Sequence, residues 1–159
     1  MPSTSSSFSV SNTIVSNNGL VGIFVQPTGS AVVTSVLSKV VANNNFEGIF
    51  VGGSATTGAS LNVTIVDSEA SNNGGRGVFA NSASGAAPTS VMLRNVVVSN
   101  NGTGLDAEGS NATLRVGHSV ITGNTFGVGA GGGILDSYAD NDIDGNTTNS
   151  GVLTTIPTH

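Results

Sequence analysis

The chain has 159 residues, with no Cys, no Trp, 23 Gly, 8% charged residues and a net charge of −5. That length is one domain's worth, 1–159, and Leu, Ile, Val and Phe, together 43 residues, suffice for a folded core. Four Lys and Arg against nine Asp and Glu leave no basic stripe for phosphates, which argues against nucleic acid, and the missing Cys exclude disulfides and thiolate metal sites.

Helix signals are scarce: Gly and β-branched residues interrupt every window, and no apolar run reaches the roughly 18 residues of a membrane helix, so no membrane insertion is expected. Met1 to Ser7 carries neither the basic residue nor the apolar run of a signal peptide. From Val10 onward the chain is one unit repeated six times. Val10 and Val15 lead to Asn17-Asn18, and Gly22 opens a strand at Ile23. Val36 and Val41 then precede Asn43-Asn44, with Gly48 and Ile49. Ile65 and Ala70 precede Asn72-Asn73, with Gly77 and Val78. Leu93 and Val98 precede Asn100-Asn101, with Gly104 and Leu105. Val116 and Ile121 precede Gly123-Asn124, with Gly127 and Val128. Tyr138 and Ile143 precede Gly145-Asn146, with Gly151 and Val152. The pairs are 26, 29, 28, 23 and 22 residues apart.

A unit of this length cannot bury its apolar residues alone and stacks on its neighbours, which predicts an all-β solenoid of about six coils with three short strands per coil. Equivalent positions lie about 4.8 Å apart, so five steps make a rod roughly 24 Å long. Asn18, Asn44, Asn73, Asn101, Asn124 and Asn146 are expected in one column, each amide bonding the next; the strand-opening glycines fit close coil-to-coil approach or a permissive φ. A hexapeptide helix needs a period of six and a calcium-binding nonapeptide roll an Asp in nearly every nonapeptide, and the sequence has neither. Gly- and Ser-rich loops, Gln26 to Ala31, Gly52 to Asn62, Asn81 to Ser90, Glu108 to Ala112 and Gly131 to Gly133, are expected to leave the stack at one corner.

Three constellations are candidates for chemistry. A polar column at a turn, Asn12, Ser38, Asp67, Asn95, His118 and Asp140, puts His118 between Asn95 and Asp140 of the adjacent coils and near Arg115, which shares a face with Arg94, as a small acid/base or anion site, although Asn, Asp and Ser also suit such a turn structurally. Asp140-Asn-Asp142-Ile-Asp144-Gly145 matches the opening of an acidic calcium loop, but Gly151 stands where the closing Glu belongs. Cofactors are therefore expected to be none, with calcium at Asp140, Asp142 and Asp144 as the exception. The third is apolar: Phe24, Phe50 and Phe79 share a column between inward residues and are expected to point outward as a stripe for self-association or for stacking a carbohydrate. The terminal His159 is expected to be disordered.

Val10 to Asn18, Leu61 to Ser68, Val96 to Gly104 and the closing run Ile134 to Thr148 together resemble the right-handed parallel β-helix proteins of the pectate-lyase-like superfamily, in particular the C-terminal part of exported bacterial members. The resemblance implies a right-handed parallel β-helix, an extracellular or cell-envelope location, and a chain lacking N-terminal coils and a signal peptide, so that Met1 is an artificial start. Function divides between a non-catalytic scaffold for binding or self-association, which is preferred, and a polysaccharide lyase or glycoside hydrolase acting on an acidic polysaccharide through His118, Arg115, Arg94 and the C-terminal aspartates.

Overall fold

The computed structural model describes residues 4–149 and 151–158. The described residues form a parallel β-helix of sixteen strands with no helix among them: β1 Ser6–Ser16, β2 Val21–Val25, β3 Val33–Asn43, β4 Glu47–Gly52, β5 Leu61–Val66, β6 Glu69–Ser71, β7 Arg76–Asn81, β8 Thr89–Arg94, β9 Val97–Ser99, β10 Thr103–Glu108, β11 Ala112–Gly117, β12 Val120–Thr122, β13 Phe126–Gly131, β14 Ile134–Ser137, β15 Asp142–Ile143 and β16 Thr154–Thr155. Every strand pair is parallel and in register with the coil before and after, as stacking of equivalent residues requires.

The pairings form three faces. β5, β8, β11, β14 and β16 stack as the first and β6, β9, β12 and β15 as the second; β3 bends from one to the other, pairing with β5 through its first half and β6 through its second. The third face is β2-β4-β7-β10-β13. Five coils are complete, and β14 and β15 begin a sixth. Loops 26–32, 53–60, 82–88, 109–111 and 132–133 all join the third face to the next coil's first, so they share one corner.

Alternation along each strand sends Leu37, Ile49, Leu61, Ile65, Leu93, Leu105, Leu114 and Ile121 into the lumen, where they are fully buried. Phe8, Val10 and Ile23 of the first coil are only partly buried against that core. Two corners turn through a left-handed residue in every coil. The corner between the first and second faces uses Asn12, Lys39, Asp67, Asn95, His118 and Ala139, with φ from 49° to 61°. The corner leading to the third face uses Asn17, Asn44, Asn72, Asn100, Gly123 and Gly145. Asn tolerates this region because its short polar side chain bonds locally.

These φ angles correct three positions in two of the expected columns. Coil two carries three consecutive asparagines, and Asn44 is the left-handed turn residue, donating from Nδ2 to Asn17 Oδ1 at 2.6 Å. Its neighbour Asn45 is the one that stacks inward: Asn18 Nδ2 donates to Asn45 Oδ1 at 2.9 Å, and the Asn45 backbone N–H donates to Asn73 Oδ1 at 3.0 Å. The same bonds continue through Asn101, Asn124 and Asn146. Accordingly Leu37 and Ala42 face the core in coil two, while Val36 lies exposed. At the first corner, Lys39 and Ala139 hold the places expected for Ser38 and Asp140. Coil six has one residue more there than coil five, because Ser137 pairs with Val116 and Ile143 with Ile121.

The inward asparagines explain the strand-opening glycines. A Cβ on Gly48, Gly77 or Gly104 would stand 2.5–2.8 Å from the carbonyl oxygen of the equivalent glycine in the next coil and 2.7–2.9 Å from an asparagine Nδ2. None of these glycines has a positive φ, so close approach, and not backbone freedom, is what each supplies.

Candidate functional site

Two features of the surface join charged side chains in ion pairs and carry most of the candidate residues. The first is a notch of about 420 Å³ on the outside of coils four to six, lined by Met92, Arg94, His118, Tyr138, Asp140 and Thr158. It forms where Gly117 interrupts a column between Arg94 and Tyr138; a Cβ on Gly117 would lie 3.1 Å from the Tyr138 ring. Asp140 clamps His118 twice. Its Oδ1 accepts the His118 backbone N–H at 2.9 Å, and its Oδ2 lies 3.3 Å from His118 Nδ1. The Arg94 side chain is exposed and makes no hydrogen bond or ion pair among the described residues, whereas Arg115 turns away, donating to Ser90 Oγ at 3.0 Å and lying 3.4 Å from Asp136.

The notch thus brings together three of the four residues expected for catalysis, Arg94, His118 and Asp140, and leaves out Arg115. The three aspartates of the acidic run do not converge. Asp140 is engaged with His118, Asp142 lies exposed on β15, and Asp144 accepts the N–H of Gly145 at 2.7 Å in its own turn. His159 lies outside the described residues.

The second feature lies on the third face. Phe24 stacks on Phe50 with centroids 4.9 Å apart, and Phe50 meets Phe79 edge-on at 5.1 Å. The column is continuous, but its exposure falls along it: Phe24 is 43% exposed and Phe79 only 5%. Phe79 is covered by Arg76, whose guanidinium lies 4.0 Å from the ring centroid. That guanidinium also pairs with three carboxylates, Asp106 at 2.7 Å, Glu47 at 3.0 Å, and Glu108. Burial pulls the Arg76 pKa down; the hydrogen bond to Asp106, the charges of Glu108 and Asp106 and the bond to Glu47 outweigh it, so the group sits above its ordinary value and stays charged.

Column-by-column reading misses this cluster, because its members come from three columns. The signal that finds it is the alignment of Glu47, Arg76 and Thr103 in adjacent coils at the entry to the third face, with Asp106 and Glu108, outward by alternation against Leu105 and Ala107, three and five residues further along β10.

The expectation of no cofactor, or of calcium alone, is corrected by the family comparison: the sequence model of the family described as periplasmic copper-binding protein (NosD) matches residues 2–155, and the metal in that description is copper. The donors in the described residues do not compose a copper centre. No group of three or more His, Cys, Asp or Glu side chains is placed to hold a metal, Cys is absent from the chain, and the soft donors of the notch are the single imidazole of His118 and the single thioether of Met92. Among the described residues no helix is long and apolar enough to cross a membrane. No curated protein and no solved structure matches the chain. A family match that spans nearly every residue and a parallel β-helix agree with each other and with an envelope location: the chain belongs to the NosD family of periplasmic β-helix proteins.

Proposed function

We propose that the chain is a non-catalytic periplasmic scaffold that self-associates through the aromatic end of its third face. The observation that carries this reading is the stacked pair Phe24 and Phe50, whose outer ring stays 43% exposed beside Leu20, itself 76% exposed, around an almost wholly apolar pocket of Leu20, Val21 and Phe24. Residues 1–38 contain no charged side chain, so two such surfaces meet without repulsion or the cost of burying an ion. Sedimentation across a concentration series tests it. Phe24→Asp should shift the chain toward the monomer while its far-UV spectrum is unchanged; an identical mass distribution for the parent and Phe24→Asp refutes self-association here.

A second reading, a lyase or hydrolase of acidic polysaccharide, draws support from the notch, where a free Arg94 and the His118–Asp140 pair stand within one concavity beside Tyr138. Release of unsaturated or reducing ends from polygalacturonate, lost in His118→Ala, would favour it over the scaffold.

A further inference from the structure

A cleft of about 310 Å³ crosses the third face in the middle of the rod, lined by Gly75, Arg76, Gly102, Thr103, Asp106, Thr125 and Phe126. Its floor is bare backbone, since a Cβ on Gly102 would lie 2.8 Å from the Gly75 carbonyl oxygen and 2.9 Å from that of Gly74. An exposed ring closes each end. Phe126, 46% exposed, lies at one, and Phe46, 55% exposed, lies over Gly74 and Gly75 at the other, with ring carbons 3.8 and 3.5 Å from where their β-carbons would be. Phe46 and Phe126 are three coils apart, about 14 Å at 4.8 Å per coil.

The polar groups in the cleft are of two kinds. The floor's amides are spent on coil-to-coil bonds, Gly75 N–H to Phe46, Gly102 N–H to Asn73, Thr103 N–H to Gly75 and Phe126 N–H to Gly102, so a peptide finds no strand edge to extend. The Thr103 and Thr125 hydroxyls, by contrast, make no hydrogen bond among the described residues, and Asp106, only 8% exposed, has Oδ2 fixed by Arg76 and Oδ1 without a hydrogen-bond partner. A buried carboxylate held by an arginine, with one oxygen left over in a cleft, is a pre-positioned acceptor for a hydroxyl group. The rim carries Glu47, Asp106 and Glu108 against Arg76 alone, so it repels a polyanion.

We infer that this cleft binds a neutral oligosaccharide, with pyranose faces on Phe46 and Phe126 and ring hydroxyls on Asp106 Oδ1, Thr103 and Thr125. Flat apolar faces with hydroxylated edges match two rings separated by hydroxyl acceptors and donors, and a neutral chain escapes the acidic rim. The site is separate from the Phe24 surface, so it stands whether or not the chain self-associates.

Affinity electrophoresis of the full chain in gels containing hydroxyethyl cellulose, mixed-linkage β-glucan, dextran or polygalacturonate tests it, with titration calorimetry against the soluble oligomer of whichever retards. At least one neutral polymer should retard the chain and polygalacturonate should not. Phe126→Ala and Phe46→Ala, both at exposed positions, should each weaken binding at least tenfold, Asp106→Asn should weaken it similarly, and Val36→Ala, exposed on the first face, should leave it unchanged. Absence of retardation by all three neutral polymers overturns the inference, as does undiminished binding by both Phe126→Ala and Phe46→Ala or preferential retardation by polygalacturonate.

Discussion

Asn101 is where the cohesion of the coils can be measured most directly. Its side chain is 4% exposed and makes four hydrogen bonds: Nδ2 donates to the Ala70 carbonyl at 2.9 Å and to Asn124 Oδ1 at 3.0 Å, and Oδ1 accepts the Asn73 backbone N–H and Asn73 Nδ2, both at 2.9 Å. Asn101→Ala removes all four and leaves the Asn73 N–H buried with no acceptor. At about 1 kcal/mol for each net bond, with the orphaned donor at the upper end, the loss is about 3–5 kcal/mol. That is a large part of the roughly 5–15 kcal/mol that holds a domain folded, and at about 2–4 °C per kcal/mol the melting midpoint falls by about 6–20 °C. Asn18 is the control. It sits at the end of the stack, exposed, and its side chain only donates, to Asn45 Oδ1 and weakly to Ser16, so Asn18→Ala should cost no more than about 1 kcal/mol. The glycine opposite adds a coupling test. A Cβ on Gly77 would stand 2.7 Å from Asn101 Nδ2 and 2.8 Å from the Gly104 carbonyl, so Gly77→Ala is costly alone but shares one clash with Asn101. In a double-mutant cycle by urea unfolding, Gly77→Ala with Asn101→Ala should therefore cost at least about 0.5 kcal/mol less than the sum of the two. Equal losses for Asn18→Ala and Asn101→Ala, or strict additivity with Gly77→Ala, would refute the reasoning.

Other positions test separate parts of the account. Ser35 Oγ is the one buried side-chain N or O atom among the described residues without a partner, between Phe8 and Val63 in its column, so Ser35→Val should raise the urea midpoint by the equivalent of about 1–2 kcal/mol. Lys39 and Ala139 hold left-handed turns with φ of 53° and 61°, and Lys39→Asn and Ala139→Asn should each stabilise by about 0.5–1 kcal/mol in thermal melts while His118, at 49°, keeps its place. Arg76→Met strands Glu47, Asp106 and Glu108 together; with Arg76 30% exposed, a loss of about 1–3 kcal/mol is expected by denaturant titration, and Arg76→Lys should recover little of it, because one ammonium cannot serve three carboxylates and a ring.

The fold was legible because stacking at 4.8 Å forces equivalent residues into equivalent environments, so any sequence that keeps Gly, Asn and an aliphatic residue in fixed order declares its coils. Where sequence pattern and structure differ, they differ by one residue. Asn43-Asn44-Asn45 offers two adjacent pairs, and the earlier one aligns Val36 and Val41 with the columns that Leu37 and Ala42 occupy in the core. A slip of one flips every side chain of a strand, and only the partner coil arbitrates. Coil six hid its extra residue in the same way: Asp140 lies one place beyond the left-handed turn residue, and that displacement is what lets its carboxylate reach back to His118.

The candidate sites were less legible for a different physical reason. A column holds residues that look alike, whereas chemistry in this molecule runs diagonally. Arg76 reaches Glu47 in the coil before and Asp106 and Glu108 in the coil after, spans three columns, and covers the ring of Phe79 on the way. A side chain as long as Arg crosses the 4.8 Å between coils easily, so it can pair with carboxylates several positions away in phase. With 8% charged residues over 159 positions, the charges look scattered along the sequence, yet three carboxylates meet at one guanidinium. The scarcity itself selects for this. Like charges in one column would repel at every step of the stack, so the carboxylates are spread over three columns, with Glu47 next to Arg76 in one and Asp106 and Glu108 in two others, and the long side chain of Arg76 joins them. Phe79, buried beneath such a cluster, therefore belongs to the packing of the third face, and the rings available to a partner are those that the arginine does not cover, Phe24, Phe46 and Phe126.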